Sequence, residues 1–420
     1  MGISCYNPLA IDPIANPYTP NAGSRPPELA GRDAELHQFE ILVGRLKRGS
    51  SEQSVIVKGL RGVGKTVLLN AFENQAESED FLTYYHELTP ESVLAQEIAR
   101  DGEKALTRLS LSERVGGKVR ESLGHMRTIR LTGPEGFGFE VDLRGAEEGA
   151  VTSDLTDLFV QLGEAAKSKK RGVVFLLDEV QFADEVHFRA MISALHRATQ
   201  RSLPITVAAA GLPQIPRLTG EARSYAERLF TFPTIGNLGE DAAYAALTEP
   251  AHQQDVKFTP DAVARALEWT AGYPFYIQQL GKHAWNAAEK SPITLADIEA
   301  AIPIAQEALD SSLYEVRAQR ATPAERRYMR AMAELGSGPY RSGAVAKKLG
   351  KSSAALSQLR DRLVSKGLIY ATEDFGHLDF SVPRFDEFMR RYMDYKAPTK
   401  LKRKPARKPP ASAQGKKPRR

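Results

Sequence analysis

The sequence predicts an α/β fold: a parallel sheet with helices on both faces, followed by a helical subdomain and a small C-terminal unit. Three observations carry this reading. A β-branched run, Val55, Ile56 and Val57, enters a glycine-rich turn and then a segment with apolar residues at helical spacing, Val67, Leu68, Ala71 and Phe72. Five consecutive apolar residues, Val173 to Leu177, read as a strand buried on both faces and end in Asp178-Glu179. Strand and helix patterns alternate between and beyond these two runs, as crossover helices in a parallel sheet require.

The turn after Val57 reads G-x-x-x-x-G-K-T, the spacing of a phosphate-binding P-loop. Its glycines let successive backbone N–H groups close around an anion, and the following helix points its positive end at the same place. Lys65 can then reach the β- and γ-phosphates, while the Thr66 hydroxyl serves the accompanying Mg²⁺. The expected nucleotide contacts are Gly59, Leu60, Arg61, Gly62, Val63, Gly64, Lys65, Thr66 and Val67. The alternative is a strand-to-helix turn without a ligand; the full spacing in this context favours ATP.

The segment "FLTYYHEL" (81–88) is a second strand, with a helix from Glu91 to Leu109 behind it. Residues 111–149 are glycine-rich and weakly patterned, with "GFGFEVDL" as a short strand candidate. A helix from Asp154 to Ala166 leads into the acidic strand. There Asp178 suits the Mg²⁺ shell and Glu179 suits orienting or deprotonating the attacking water; the alternative is that the acidic pair caps the next helix. A helix over Val186–Thr199 and a buried strand in "PITVAAAGLPQIP" complete the pattern.

At 420 residues the chain has room for two or three domains. Its one cysteine, Cys5, excludes an internal disulfide framework and has no context marking a nucleophile. No apolar run approaches the roughly 20 residues of a membrane span, and the N-terminus lacks a signal-peptide pattern. The expectation is a soluble, cytoplasmic protein without membrane contact. The histidines (His86, His187, His196, His252, His283 and His377 among them) are scattered, which suits structural roles better than metal ligation.

The net charge of +5 is distributed unevenly. Residues 396–420 hold eleven Lys or Arg and no acid, leaving 46 basic against 52 acidic groups in residues 1–395, a net of −6. This tail, rich in proline and charge, is expected to be disordered and can neutralise phosphates without reading sequence. Its other reading is a solvated tail that aids solubility.

The P-loop, "LLDEVQ", the strand ending "AAAGLP" and the N-terminal "RPPELAGRDAEL" together resemble the AAA+ and related STAND class of P-loop ATPases, within it the archaeal-type and origin-recognition-like ATPases of prokaryotes. The resemblance covers roughly residues 7 to 310. It implies a P-loop NTPase core followed by a helical lid. It also implies that "ELAGRDAEL" lies along the adenine and ribose, with Gly31 and Arg32 central; read alone, Asp33 is a helix cap and Gly31 a turn residue. In "ERLFTFP", Arg228 falls where related proteins place an arginine near the γ-phosphate of their own or a neighbouring subunit, though it equally suits a surface salt bridge. "TAGYPFYIQQLGKHAW" has the Gly-x-Pro arrangement of such proteins, so Gly272 and Pro274 would sit over the nucleotide; alone they end one helix and start the next. Two departures stand out. Alanines and glycine replace a polar water-holding residue after the acidic strand, and no arginine sensor accompanies Gly272-Pro274. Both point to slow hydrolysis and to a switch more than a motor.

Residues 322–392 hold a helix started at Thr322-Pro323, a second helix in "SGAVAKKLG", a third in "SSAALSQLRDRLVSKGLI" and a hairpin in "LIYATEDFGHLDFSVP". Leu356, Leu359 and Leu363 of the third segment should face the core. The pattern resembles the winged helix-turn-helix family. That implies a third helix in the major groove of double-stranded DNA, with Ser353, Ser357 and Gln358 near base edges and Lys351, Arg360 and Arg362 near phosphate. Many winged helices bind protein instead, and Glu373, Asp374 and Asp379 on this wing would repel DNA.

The expected organisation is an extended segment (1–27), an α/β P-loop ATPase core (28–236), a helical lid subdomain (237–315), a winged helix (322–394) and a disordered basic tail (396–420). The expected function is an ATP-binding, slowly hydrolysing ATPase acting as a nucleotide-controlled switch coupled to DNA. The alternative is a STAND-like signalling module whose winged helix binds a protein partner. A third reading, a nucleotide-dependent ring motor, needs Arg228 supplied by a neighbouring copy.

Overall fold

In the computed structural model, which describes residues 11–21, 29–109, 129–132, 138–141, 148–214 and 226–395, five strands form one parallel sheet. The strands are β1 (Ser54–Lys58), β2 (Phe81–Glu87), β5 (Gly172–Asp178), β6 (Ile205–Gly211) and β7 (Phe230–Thr231), in the order β2-β5-β6-β1-β7. Strands β3 (Ile129–Thr132) and β4 (Gly138–Val141) make a separate antiparallel ribbon. The "GFGFEVDL" strand is therefore present, but its partner β3 has no sequence pattern that announces it.

Alternation along the strands sorts side chains into two layers. Ile56, Val173, Phe175, Leu177, Val207 and Ala209 join the core on one face. Val55, Val57, Val174, Leu176, Ala208 and Ala210 join the core on the other. Both β5 and β6 are buried throughout, the pattern of central strands covered on each side. The second face is covered by α1 (Asp33–Lys47) and α2 (Lys65–Ser78), and the first by α3 (Leu94–Leu109), α4 (Glu148–Ser168) and α5 (Glu185–Gln200). Helix α3 starts at Leu94 rather than Glu91, because residues 88–92 form a turn in which the Thr89 N–H donates to the Ser92 hydroxyl.

After the short α6 (Ala226–Leu229) come four helices, α7 (Glu240–His252), α8 (Pro260–Thr270), α9 (Pro274–Ala287) and α10 (Leu295–Leu309), with their own core around Trp285, Ile277 and Leu280. Residues 11–21 lie on this bundle: Tyr18 packs over Gly281, where a Cβ would come within 2.5 Å of its ring. Helix α10 runs through a π-helical turn (Asp310–Glu315) into α11 (Val316–Gln319).

The C-terminal unit contains α12 (Pro323–Ala333), β8 (Tyr340–Arg341), α13 (Ser342–Lys348), α14 (Ser357–Ser365), β9 (Ile369–Ala371), β10 (His377–Phe380) and α15 (Phe385–Tyr392). Its three strands pair antiparallel in the order β8-β10-β9. Leu356 and Leu363 are buried and Leu359 packs at the edge of the same core. That core is continuous with the one beneath α1 and α2, so the unit is seated on the sheet domain.

Candidate functional site

The P-loop leaves the C-terminal end of β1, beside the ends of β5 and β6, where open parallel sheets place ligands. The Gly59 N–H donates to the Gly211 carbonyl at 3.1 Å, which anchors the loop to β6. Gly64 takes φ +94° as the residue before α2, a conformation that glycine adopts without strain. Lys65, Thr66 and Val67 form the first turn of α2, whose N–H groups have no acceptor within the helix and suit an anion.

Lys65 is 5% exposed, and its ammonium donates to the carbonyls of Gly59 (3.1 Å) and Leu60 (2.9 Å). Burial pulls its pKa down to about 8, with Arg61 adding to the fall and Glu179 and Asp178 opposing it. Thr66 Oγ1 donates to Asp178 Oδ2 at 2.5 Å, and Tyr85 Oη donates to the same oxygen at 3.1 Å. A hydroxyl beside a buried carboxylate is a hard-oxygen donor set, which fits Mg²⁺ with its remaining positions filled by phosphate and water. Among the described residues no group of three or more His, Cys, Asp or Glu gathers at a metal-binding spacing. His86 lies instead between Asp101 and Glu97.

Glu179 stands at φ +53° just past β5. Its Oε1 accepts from Arg61 Nη1 at 3.0 Å and its Oε2 from Gln181 Nε2. Gln181 Oε1 in turn accepts from the Leu212 N–H at 3.1 Å, so this side chain joins the end of β6 to Glu179. Asp178 and Glu179 do not cap the following helix; Asp184 does, accepting from the N–H groups of Val186 and His187.

Arg32 reaches the loop from the N-terminal side. It is 7% exposed, and Nη2 donates to the carbonyls of Val63 (3.1 Å) and Gly236 (2.7 Å). Burial lowers its pKa, with Glu35 opposing. Asp33 makes no cap: Arg32 occupies the position before α1, without a side-chain bond to the helix. From the helical bundle, the Phe275 N–H donates to the Gly62 carbonyl at 3.2 Å and Tyr273 Oη to the Arg61 carbonyl. Gly272 and Pro274 form the turn that delivers these two contacts, with Pro274 opening α9. From the C-terminal unit, the Ser381 carbonyl accepts the Arg61 N–H at 3.1 Å. Arg317, partly buried, has its pKa pushed down to about 10 by burial, with Arg61 and Arg320 adding to it.

Arg228 does not belong to this constellation. It is exposed and lies in α6, just before β7, which pairs with β1 at Ser54 and Val55, the end of the strand away from the P-loop. Its carbonyl accepts from Gln53 Nε2 at 3.0 Å. Of the readings left open for it, action on its own or a neighbouring subunit's γ-phosphate or a surface role, the strand register puts it away from the P-loop of its own chain. On the C-terminal unit, Lys351, Ser353, Gln358 and Arg362 are exposed, whereas Ser357 and Arg360 are half-buried, with Arg360 lying against Asp361. Tyr85, Tyr273, Gln181, Arg317 and Ser381 were invisible in the sequence as site residues. Tyr273 and Ser381 reach the loop from distant segments, while Tyr85 and Gln181 reach Asp178 and Glu179, and no spacing marks these roles.

Residues 28–208 match the AAA ATPase domain family, and residues 311–389 match a domain of unknown function, DUF8462. No curated protein matches the chain. Among solved structures, the Walker-type ATPase PABY2304 of Pyrococcus abyssi is similar over 86% of this chain and 96% of its own, at 16% identity and a TM-score of 0.51. The Aeropyrum pernix ORC2 protein in its ADPNP–ADP complexes is similar over 91% of this chain and 98% of its own, at 17% identity and a TM-score of 0.51. At these identities the likeness is one of fold.

Proposed function

We propose that this ATPase, whose residues 28–208 match the AAA ATPase domain family, is a slow, nucleotide-controlled switch in the cytoplasm that engages double-stranded DNA through its C-terminal unit and basic tail. The observation that carries this reading is the bond from the Arg61 N–H to the Ser381 carbonyl. The C-terminal unit thereby touches the loop that meets the phosphates, so a change in that loop acts on the unit directly.

In this reading the loop from Gly59 to Val67 receives the phosphates, and Lys65 lies against the β- and γ-phosphates. Gly31 and Arg32 frame one side of the nucleotide and the Gly272-Pro274 turn the other. Thr66 and Asp178 hold Mg²⁺, which neutralises charge on the β- and γ-phosphate oxygens. Glu179 orients the attacking water and takes its proton. The apolar end of β6 supports slow turnover, with Gln181 the polar side chain nearest to a water-holding role. Arg228 would act only on a neighbouring copy, in a nucleotide-dependent oligomer.

The C-terminal unit we read as a winged helix with α14 as its recognition helix. The exposed Lys351, Ser353, Gln358 and Arg362, with the eleven basic residues of 396–420, support contact with DNA. One feature favours the alternative of a protein partner. Phe375 is fully exposed at the tip of the β9–β10 hairpin, next to Glu373 and Asp374. Fluorescence anisotropy of random duplex DNA, titrated with the full chain and a chain ending at Tyr395 in ATP–Mg²⁺ and in ADP, separates the two. Tail-independent, salt-sensitive binding that changes with nucleotide is expected. Binding lost with the tail, whatever the nucleotide, would turn the assignment to a protein partner.

A further inference from the structure

Arg61 makes more contacts than a phosphate-binding backbone position needs. Its guanidinium bonds Glu179 at 3.0 Å, and the two side chains are only 16% and 17% exposed. With Gln181 on the other oxygen, both carboxylate oxygens of the expected base carry protein donors.

The C-terminal unit grips the same residue. Beyond the Ser381 contact, the guanidinium lies over Gly367, where a Cβ would stand 2.8 Å from Arg61 Nη2. Ser381 Oγ donates to the Gly367 carbonyl at 2.6 Å, which joins the two contacts into one platform. Tyr273 holds the Arg61 carbonyl from the helical bundle. Arg61 thus contacts Glu179, the bundle and the C-terminal unit together.

Lys65 and Arg317 add positive charge around the Arg61–Glu179 pair. A guanidinium can exchange a carboxylate for a phosphate with little change in geometry, since it binds either in the same forked manner. The seat over Gly367 favours the carboxylate partner by fixing where the guanidinium lies.

Resting on the ATPase reading above, we propose that Arg61 is a positioning residue that holds Glu179 out of the reaction while the C-terminal unit is seated on the P-loop. A macromolecule that draws this unit away releases Arg61, frees Glu179 and raises turnover.

The test is steady-state ATP hydrolysis by the full chain carrying Arg61→Ala, Arg61→Gln, Glu179→Gln or Arg61→Ala with Glu179→Gln. Removing the latch is expected to raise kcat roughly tenfold, equivalent to about 1.4 kcal/mol. The double variant should be as slow as Glu179→Gln alone. Arg61→Gln, which keeps a polar side chain but no charge, serves if Arg61→Ala does not fold. A kcat at or below that of the unaltered chain in the folded Arg61 variant, with Glu179→Gln slow, overturns the latch alone. Glu179→Gln turning over at the unaltered rate overturns the latch together with the assignment of Glu179.

Discussion

Thr66 Oγ1 and the Asp178 carboxylate lie 2.5 Å apart although 112 residues separate them in the chain. The parallel sheet makes this meeting: β6 lies between β1 and β5, and all three end on the same side. Tyr85, from the end of β2, completes the group by donating to the same Asp178 oxygen. Asp178 is 2% exposed, so its charge rests on these donors and on the cations nearby.

Lys65→Ala should abolish ATP binding, because it removes the buried ammonium at the centre of the loop while leaving Gly59 and Gly64 to set its path. Isothermal titration with ATP–Mg²⁺ checks this, and an unchanged affinity would remove the central claim. Glu179→Gln should bind ATP normally while turnover falls by roughly 10²- to 10⁴-fold, the usual worth of a general base.

ATP affinity should depend on pH through Lys65. Burial holds its pKa at about 8, below the unfolded value of roughly 10.4. Between these values the unfolded chain binds the extra proton, so the charged, buried lysine costs stability below pH 8 and that cost is relieved as pH rises. Binding has the opposite trend: the free protein loses the phosphate-seeking charge above about pH 8, and affinity should fall there. A titration series from pH 6.5 to 9.5 that stays flat, with the fold intact by circular dichroism, would show that Lys65 does not set the affinity.

The parts of this site that could be read from sequence are those fixed by short-range geometry. The P-loop spacing, the acidic end of β5 and the Gly272-Pro274 turn each occupy a few consecutive residues, and the fold presents them at the expected strand and helix ends. What could not be read was set by packing between remote segments. Arg61 reads as one variable position of the loop, yet its partners Glu179, Tyr273 and Ser381 come from three other parts of the chain. Arg228 shows the converse: a motif that looks local was placed by strand register at the far end of β1. Lys366, just past α14, donates to the buried Glu325 of α12 at 2.7 Å, a pairing that no local spacing announces.

Gly272→Ala should destabilise the helical bundle and weaken its hold on the P-loop. Gly272 adopts φ +70°, and a Cβ there would stand 2.5 Å from the Leu238 carbonyl oxygen. Left-handed strain in a non-glycine residue costs about 1–3 kcal/mol, and backbone is a poor thing to displace. Urea unfolding should show a loss of this order; an unchanged midpoint would mean that the 271–274 turn relaxes freely and does not fix Phe275 against Gly62.

Glu325 should make the C-terminal unit acid-sensitive. It is 1% exposed, closes the capping box of α12 by accepting the Thr322 N–H at 2.8 Å, and accepts from Lys366 at 2.7 Å. Burial alone would raise its pKa, but Lys366 and Thr322 outweigh burial and leave it below the usual carboxylate value. A depressed folded pKa means that its stabilisation is present above the unfolded value near 4.3 and is lost as pH falls through the folded one. Glu325→Gln keeps an acceptor for the cap but removes the charge facing Lys366, which retains the Arg320 carbonyl at 3.1 Å, costing about 1 kcal/mol at neutral pH. The variant should also lose less stability than the unaltered chain between pH 5 and 3, since it has no proton to take up at this position. Because Lys366 precedes Gly367, against which the Arg61 guanidinium packs, this ion pair also steadies the platform beneath the P-loop. If urea midpoints of the two proteins fall in parallel over that range, the acid sensitivity lies elsewhere and Glu325 is only a helix cap.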